Sequence, residues 1–259
     1  MLMRKQLERE ETMMRKSGKQ IVPTSTAIQV RILLWQPTQR PVYQNGVWNT
    51  TAWGRCRVTG RLGQRHADIT ETMLSVAEKR RMVEDGGVEL LVDPAKVRRN
   101  LSDSGYSHSR MWSLLREIMA ATVEIETKNF RALGHLIDDV IESPATRPDP
   151  LTGGIRHLWR VRLGKLLVAL LEIDLPLYYD PAPIARLEHG ISQAIARHCL
   201  SHKTQPRGGW TIDGLIQTVS RQPLPPQVQR KAKFLLKADS EDLNKIGIII
   251  DGDRVIKNG

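Results

Sequence analysis

Cationic and amide side chains recur within one short segment near the end of the chain, residues 227–238. Arg230, Lys233 and Lys237 are spaced i, i+3 and i+7, so a helix would project them from a common face. Gln227 and Gln229 precede them. Arginine and glutamine side chains reach base edges and phosphates in the major groove, which is the chemistry of a recognition helix. The alternative is a solvated charged helix on an ordinary helical domain, because helix-turn-helix patterns carry little information.

The neighbouring segments predict the elements that would hold this helix against DNA. A short apolar helix over residues 212–219 comes before it, and the break at residues 220–226 is rich in Pro, Ser and Gln. After it, residues 246–257 predict a hairpin, because Asp251, Gly252 and Asp253 suit a tight turn with positive φ. The order helix, turn, helix and hairpin predicts a winged helix, and its hairpin adds Arg254 and Lys257 to the candidate DNA-binding residues.

A second helix-turn-helix is predicted earlier in the chain. Pro94 begins a helix that continues to residue 101, the break is Ser-Asp-Ser-Gly, and another helix covers residues 107–121. Its apolar positions form a core-facing stripe. The polar side chains near its N-terminus would be the DNA contacts: Ser107, His108, Ser109, Arg110, Ser113 and Arg116. An N-cap serine followed by incidental polar surface explains the same pattern, and the sequence does not separate the two.

The positive charge is concentrated near the N-terminus. Residues 1–66 hold twelve Lys and Arg and three Glu, and no carboxylate occurs between Glu11 and Asp68. Tryptophans and tyrosine alternate with the arginines, a combination that can track phosphates and stack on bases. The aromatics are better explained as the core of a strand pair. The arginines are better explained by nucleic-acid or partner contact, and the candidate basic patch is Arg55, Arg57, Arg61 and Arg65.

The bulk composition agrees with a polyanionic partner. The chain of 259 residues has 39 Lys and Arg against 28 Asp and Glu, with a net charge of +11 and a pI near 9.9. Cys56 and Cys199 give no disulfide framework, which favours a reducing cytoplasm. The aliphatic run at residues 166–171 is too short to span a bilayer, and no signal peptide is evident at the N-terminus.

Together the patterns predict an α+β fold of two tandem winged-helix domains with a basic, β-rich N-terminal extension. We expect a flexible basic tail over residues 1–28, a first domain over 29–162 and a second over 163–259. Within them, strands are predicted at 29–35, 47–60, 88–92, 123–127, 131–142, 155–161 and 175–179, and helices at 67–83, 166–171 and 183–200. Residues 143–154 are either a linker or a long wing loop, and flanking β-type segments favour the wing.

Four stretches carry a resemblance to a known family: residues 60–74, GRLGQRHADITETML; residues 90–126, around the first helix-turn-helix; residues 159–171, WRVRLGKLLVALL; and residues 185–203, ARLEHGISQAIARHCLSHK, leading into WTIDGLIQTVS. These segments resemble plasmid replication initiators of the TrfA and RepC winged-helix type. The resemblance covers residues 60–259 in pattern order and leaves the basic segment before Gly60 without a counterpart.

The resemblance implies a C-terminal winged helix that binds repeated origin sequences in double-stranded DNA. It also implies an N-terminal one that adds backbone contacts or forms a homodimer, and host replication proteins as further partners. Two other functions remain open: a transcriptional regulator with one DNA-binding and one dimerising winged helix, and a nucleoprotein-complex adaptor that binds RNA or single-stranded DNA through the basic segment. One palindromic site would favour the first of these, and RNA retained on purification the second.

The sequence contains no pattern typical of catalysis, so we expect a non-enzymatic protein without cofactors. The phosphate-binding motif GxxxxGK[ST] does not occur. His198, Cys199 and His202 lie at metal-like spacing, but no third or fourth ligand is suggested, and a helix with a buried cysteine explains them better. No metal site is therefore predicted.

Overall fold

Apolar side chains collect into two buried clusters. In the computed structural model, which describes residues 22–102, 106–149 and 153–258, the first cluster is built from side chains between Val22 and Leu170, together with Ala185. The second is built from side chains between Ile184 and Val255. The fold is α+β. The predicted tail lies mostly outside the described residues, as do residues 103–105 of the predicted break in the first helix-turn-helix.

The elements of the first part are β1 (Ser25–Thr26), α1 (Ala27–Arg31), β2 (Gln44–Asn45), β3 (Asn49–Thr51), β4 (Gly54–Gly60), α2 (Gln64–Ser75), β5 (Lys79–Met82), β6 (Val88–Val92), α3 (Pro94–Leu101), α4 (His108–Ala120), β7 (Thr122–Glu126), β8 (Arg131–Gly134), β9 (Ile137–Pro148) and β10 (Ile155–Leu163). The second part comprises α5 (Lys165–Ile173), β11 (Pro176–Leu177), α6 (Ala182–Arg186), α7 (Gly190–Leu200), β12 (Trp210–Thr211), α8 (Ile212–Val219), α9 (Pro226–Ala238), α10 (Ser240–Lys245), β13 (Ile248–Asp251) and β14 (Arg254–Lys257).

Local side chains set where the helices of both helix-turn-helix motifs begin. The Asp93 carboxylate accepts a hydrogen bond from the Ala95 amide, and Pro94 occupies the first turn of α3. Ser107 accepts from the Arg110 amide at the start of α4, and Thr211 accepts from the Gly214 amide at the start of α8. Each cap satisfies an amide that the helix leaves without a partner, which fixes the N-termini in the sequence itself.

The first part contains a winged helix built from α2, β6, α3, α4 and the hairpin β9–β10. Its sheet has the order β5-β6-β10-β9, so the strand that precedes the helix pair lies beside the last strand of the hairpin. Trp159 on β10 is opposite Val92 on one side and Glu142 on the other. The Asp149 amide donates to the Gly154 carbonyl at 2.7 Å, which continues the hairpin beyond both strands. Residues 143–149 and 153–154 therefore belong to a wing, as expected, and residues 150–152 lie outside the described residues.

The second winged helix repeats this arrangement in fewer residues. It consists of α7, β12, α8, α9 and the hairpin β13–β14, and its sheet has the order β12-β14-β13. Again the strand before the helix pair, here β12, pairs with the last strand of the hairpin. Gly252 has φ of +55° in the hairpin turn, as the Asp-Gly pair predicts. The prediction of two tandem winged helices is confirmed by this shared order.

The N-terminal strands are not an independent extension. The strands β2, β4, β7 and β8 form one sheet in that order, with β3 also paired to β4. Val58 of β4 and Val123 of β7 are fully buried in the first cluster. The strands β7 and β8 lie between α4 and the wing in sequence, so the basic segment before Gly60 packs on an insertion within the first winged helix.

Several predicted boundaries are wrong. Residues 29–35 form no strand, because the Thr26 hydroxyl caps a short helix, α1, by accepting from the Gln29 amide. The predicted helix 67–83 begins earlier and ends at Ser75, because residues 79–82 pair with β6. The predicted strand 131–142 is divided into β8 and β9, and the predicted helix 183–200 into α6 and α7. In the segment 79–82, pairing with β6 overrides the local helical pattern.

The two cores divide later than predicted. The helix α5, which was assigned to the second domain, contributes Leu166, Leu167 and Leu170 to the first cluster. The second cluster starts at Ile184. Because α5 buries its apolar face against the first unit, the first core extends past the boundary predicted at 162/163 to Leu170, and it also takes in Ala185.

A buried ion-pair network joins the units. Arg197 of α7 donates to Glu71 at 2.9 Å and to Asp68 at 2.7 Å, both on α2, and the three side chains are 0–1% exposed. Burial would lower the pKa of Arg197, but the two carboxylates hold that pKa above its ordinary value. Tyr179 donates to Glu71 at 2.8 Å. The first helices of the two winged-helix units are therefore held together by charge-assisted hydrogen bonds shielded from water.

Candidate nucleic-acid interface

The helix α9 presents a basic face away from the core. Ala232 and Leu236 are buried, and the opposite side of the helix carries exposed side chains. Because a helix turns once every 3.6 residues, positions 227, 230, 231, 234, 237 and 238 share this outward side. Arg230, Lys231 and Lys237 are exposed there, and α9 contains no carboxylate. Lys231 was not among the predicted contacts. The spacing of Val228, Ala232 and Leu235 predicts that these three form the apolar face of the helix, but Val228 is 47% exposed and Leu235 only half-buried.

Two of the predicted contacts on α9 have partners within the unit. The Lys233 ammonium lies 2.8 Å from Asp253 in the wing turn and 3.8 Å from Asp213 on α8, and these carboxylates raise the pKa of Lys233. The Gln229 amide donates to Asp213 at 3.1 Å. Gln227 is exposed at the first turn of the helix. Lys233 thus connects α9 to α8 and to the wing, and its charge neutralises two carboxylates beside the basic face.

Of the two candidate DNA-binding cations in the wing of the second unit, one is exposed. Arg254 begins β14 and is exposed. Lys257 on the same strand donates to the His202 carbonyl at 2.7 Å and is half-buried. Lys257 therefore ties the last strand to the segment that follows α7.

The helix α4 is a weaker counterpart of α9. Its predicted core stripe is confirmed, with Met111, Leu114, Leu115 and Ile118 buried. Arg110 and Arg116 are exposed, whereas Ser113 is half-buried. The Ser107 hydroxyl caps the helix and lies 3.0 Å from the hydroxyl of Ser109.

His108 belongs to an aromatic cluster at the base of the first wing. Its ring accepts from the Trp112 indole at 3.1 Å, and Trp112 lies 5.4 Å from the buried ring of Trp159. Beside this cluster, α3, α4 and the wing enclose a cavity of about 420 Å³ whose lining includes Arg99 and Arg156. Arg156 donates to Asp93 at 2.8 Å, so it fixes the wing to the helix pair. His108 is exposed, and its ring contacts Trp112 and Trp159.

The arginines of β4 are compensated by carboxylates from β7. Arg57 donates to Glu124 at 2.6 Å and Arg55 to Glu126 at 2.8 Å, and each pair lies directly opposite in the strand register. Both guanidinium groups also lie over the Trp48 ring, at 4.5 and 4.9 Å. Hydrogen bonds from Arg131 and Arg57 lower the pKa of Glu124. The expectation that this segment lacks compensating carboxylates is wrong, because the partners come from a strand distant in sequence.

The remaining members of the predicted basic patch do not join this surface. Arg65 on α2 donates to the Ala185 carbonyl and to Gln39, both at 2.9 Å, and lies over the Tyr106 ring. It therefore helps to join the units. Arg61 is exposed. The four arginines are thus split between a sheet surface, an inter-unit contact and one exposed position, which the spacing in sequence could not reveal.

The aromatic side chains of the same segment are divided between core and surface. Trp35 is 5% exposed, as the core interpretation predicts, whereas Tyr43 and Trp53 are 60% and 36% exposed. Trp53 packs edge-on against His198 and His202.

The histidines at metal-like spacing form a pair in which His198 is buried and His202 is half-buried. The rings of His198 and His202 lie 4.6 Å apart, and burial lowers the pKa of His198 to about 4. Cys199 belongs to the second core, and burial raises its pKa to about 12. In the described ranges, three donor groups converge elsewhere, at Glu188, His189 and Asp239. Asp239 there accepts hydrogen bonds from the His189 ring and backbone amide.

Comparison with known proteins yields one structural similarity. No family profile matches the sequence, and no curated protein matches it. The chain is similar to the crystal structure of RctB domains 2–3, with 12% identity, a TM-score of 0.49 and coverage of 88% of this chain and 94% of that one. Among the described helices, none combines the length and the apolar character needed to cross a membrane.

Proposed function

We propose that this chain binds duplex DNA and acts as a non-enzymatic replication initiator of the plasmid type. The observation that carries the DNA-binding part is the outward face of α9. It presents Arg230, Lys231 and Lys237 with no carboxylate on the helix, and it stands as the second helix of a helix-turn-helix beside a wing. A helix of this kind fits the major groove, where its side chains contact phosphates and base edges.

The internal contacts favour DNA over a merely solvated helix. Lys233 is already paired to Asp213 and Asp253, so the helix is braced at both sides while its other cations remain exposed. A surface that served only solubility would carry charges of both signs, yet the outward side of α9 carries positive charges alone. Counterion release from DNA would turn that arrangement into affinity.

The initiator part rests on the resemblance in pattern order and on the two units being joined. Two winged helices in one chain suit a protein that binds repeated duplex sites. Recruitment of host replication proteins and formation of a homodimer through the α4 unit are the further elements of this proposal.

The test is the salt dependence of duplex binding. We expect the double variant Arg230→Ala/Lys237→Ala to bind duplex more weakly, and the slope of log K against log salt to fall by about 2, because two phosphate contacts are lost. Fluorescence anisotropy with the native DNA flanking the gene, measured over a series of salt concentrations, gives the slope. Lys79→Ala/Lys128→Ala is the matched control, since both lysines are exposed and belong to elements of the first part, Lys79 to β5 and Lys128 to the turn between β7 and β8.

An unchanged slope in the α9 variant would show that this helix does not touch DNA. An equal fall in the control variant would assign the binding to bulk charge and not to a recognition helix. Footprinting on the same flanking DNA then separates the initiator function, for which repeated protected sites are expected, from a single palindromic site.

A further inference from the structure

Phe234 lies at the centre of the basic face of α9. Its neighbours at i−4, i−3, i+3 and i+4 are Arg230, Lys231, Lys237 and Ala238, all of them exposed. The Phe234 side chain is itself 72% exposed. The chain has only two phenylalanines, and the other, Phe130, packs against the first core.

This position is costly for a phenylalanine in water. Phenylalanine is among the residues most often buried, and a single exposed ring contributes nothing to the fold that holds α9, which is anchored by Ala232 and Leu236. Surrounding cations exclude an apolar protein surface as its natural partner, because docking there would desolvate three charges without compensation. A partner must therefore offer an apolar group in the middle of a strongly anionic surface.

The major groove of DNA offers that combination. The C5 methyl group of thymine projects into the groove between the two phosphate backbones, and phenylalanine is one of the side chains that contact it. We infer that Phe234 is a specificity-determining residue that packs on a thymine methyl group while the cations around it contact the phosphates. This inference rests on the proposed function and adds to it a base preference at the centre of the recognition site.

The spacing of the side chains on the helix supports this division of labour. Residues three and four positions away flank Phe234 along the helix on both sides, so the ring occupies the middle of the face and the cations its edges. A helix that lies in the major groove turns one face to the base edges, whereas cations on that face also reach the phosphate backbones. Lys233 remains engaged with Asp253 and does not compete for this position.

The experiment replaces thymine by uracil, which differs only in lacking the methyl group. The full chain selects its preferred duplex from a randomised library, and each thymine of the selected sequence is then replaced singly by uracil. We expect one or two positions at which uracil weakens wild-type binding about fourfold, the effect of removing one methyl group from an apolar contact. For Phe234→Ala the thymine and uracil duplexes should bind equally at those positions.

Val228→Ala is the matched control, because Val228 is an apolar side chain of the same helix that is 47% exposed on a different side. It should keep the full thymine preference. Circular dichroism of each variant confirms that the fold is intact. The inference is overturned if no sequence is enriched, if uracil is tolerated at every thymine by the wild type, or if Phe234→Ala keeps the difference.

Failure of the Phe234 inference can be distinguished from failure of the proposed function. If Arg230→Ala/Lys237→Ala lowers the salt slope while Phe234→Ala leaves the thymine preference unchanged, α9 binds DNA and only the role of Phe234 is wrong. If neither variant changes binding, α9 is not on DNA and the proposed function fails with it.

Discussion

Replacing Arg197 by methionine is the most severe test of how the two winged helices are joined. Arg197 is the cation that faces both Asp68 and Glu71 within the buried network described above, and it also donates to Gln64 at 2.7 Å, whereas Arg65 lies 3.5 Å from Asp68 alone. Methionine fills a similar length of side chain but removes every donor. Glu71, which is 1% exposed, would then remain in the interior without the counter-charge that Arg197 supplies, and Asp68 would keep only its longer ion pair with Arg65 at 3.5 Å.

The expected loss is large and depends on pH. Removing one partner of a buried ion pair typically costs about 3–5 kcal/mol, a substantial part of the roughly 5–15 kcal/mol that holds a domain folded. Burial already raises the pKa of Glu71, and Arg197 opposes that rise. Without Arg197, the folded-state pKa of Glu71 lies further above its unfolded value of about 4.3, so the folded variant binds a proton that the unfolded chain releases. The stability deficit should therefore shrink as the pH falls toward the unfolded pKa.

Urea unfolding followed by tryptophan fluorescence, at pH 8 and pH 5, measures both effects. The comparison is the difference between variant and wild type at each pH, because the other titrating groups are common to both proteins. Arg61→Met is the matched control, since Arg61 is exposed, and it should change stability by less than about 0.5 kcal/mol. The triple variant Asp68→Asn/Glu71→Gln/Arg197→Met should lose less than Arg197→Met alone, because no buried charge is left without a partner.

The reasoning would be refuted by a loss below about 1 kcal/mol at pH 8 for Arg197→Met. It would also be refuted by a deficit that stays the same at pH 5, since the buried carboxylates would then not be titrating. A triple variant as unstable as Arg197→Met would show that the cost arises from shape and not from charge.

Two further predictions concern contacts that hold the second unit. Burial lowers the pKa of His198 to about 4, against about 6.5 in the unfolded chain, so the unfolded chain takes up a proton first as the pH drops. The free energy of unfolding should therefore fall by about 3 kcal/mol between pH 6.5 and pH 4. In urea titrations at pH 7 and pH 4, His198→Leu should show a correspondingly smaller fall. A Cβ at Gly190 would lie 2.6 Å from the Thr38 Cα and 2.7 Å from the Gln39 amide nitrogen. Gly190→Ala should therefore lower the melting temperature measured by calorimetry, with a cost of about 1–3 kcal/mol in stability. Gly134→Ala is the control and should be close to neutral, because its Cβ would meet Leu166 at 3.5 Å.

The winged helices could be predicted because their signals are local. The apolar stripe of α4 repeats with helical spacing over five side chains, and four of these are buried. Asp93, Ser107 and Thr211 cap helices next to them in sequence. The Asp-Gly turn of the second wing likewise needs only neighbouring residues. Elements that carry their own caps and periodicity were therefore found, and their order was enough to give the fold.

Contacts between distant segments could not be predicted in the same way. Arg57 and Glu124 are 67 residues apart, and their pairing depends on which strands become neighbours. Arg197 and Glu71 are 126 residues apart, and neither lies in a motif. The strand at residues 79–82 forms because β6 is present to pair with it. The alternation of Val and Glu in β7 was the available signal for the first pair, since it predicts one wet face with two carboxylates.

The two units should differ in their affinity for duplex DNA, because they differ in how many of their cations are paired with carboxylates. Most of the excess positive charge in the sequence lies before residue 67. In the structure, however, Arg55 and Arg57 are paired with carboxylates, and Arg65 donates to the Ala185 carbonyl. The helix α4 carries Arg110 and Arg116 beside Glu117. The helix α9 carries four cations and no carboxylate, and within the described part of the chain only Lys233 among them is paired with an acid. Since counterion release depends on cations that can reach phosphates, duplex affinity should reside mainly in the second unit, and the first should contribute orientation through Arg197.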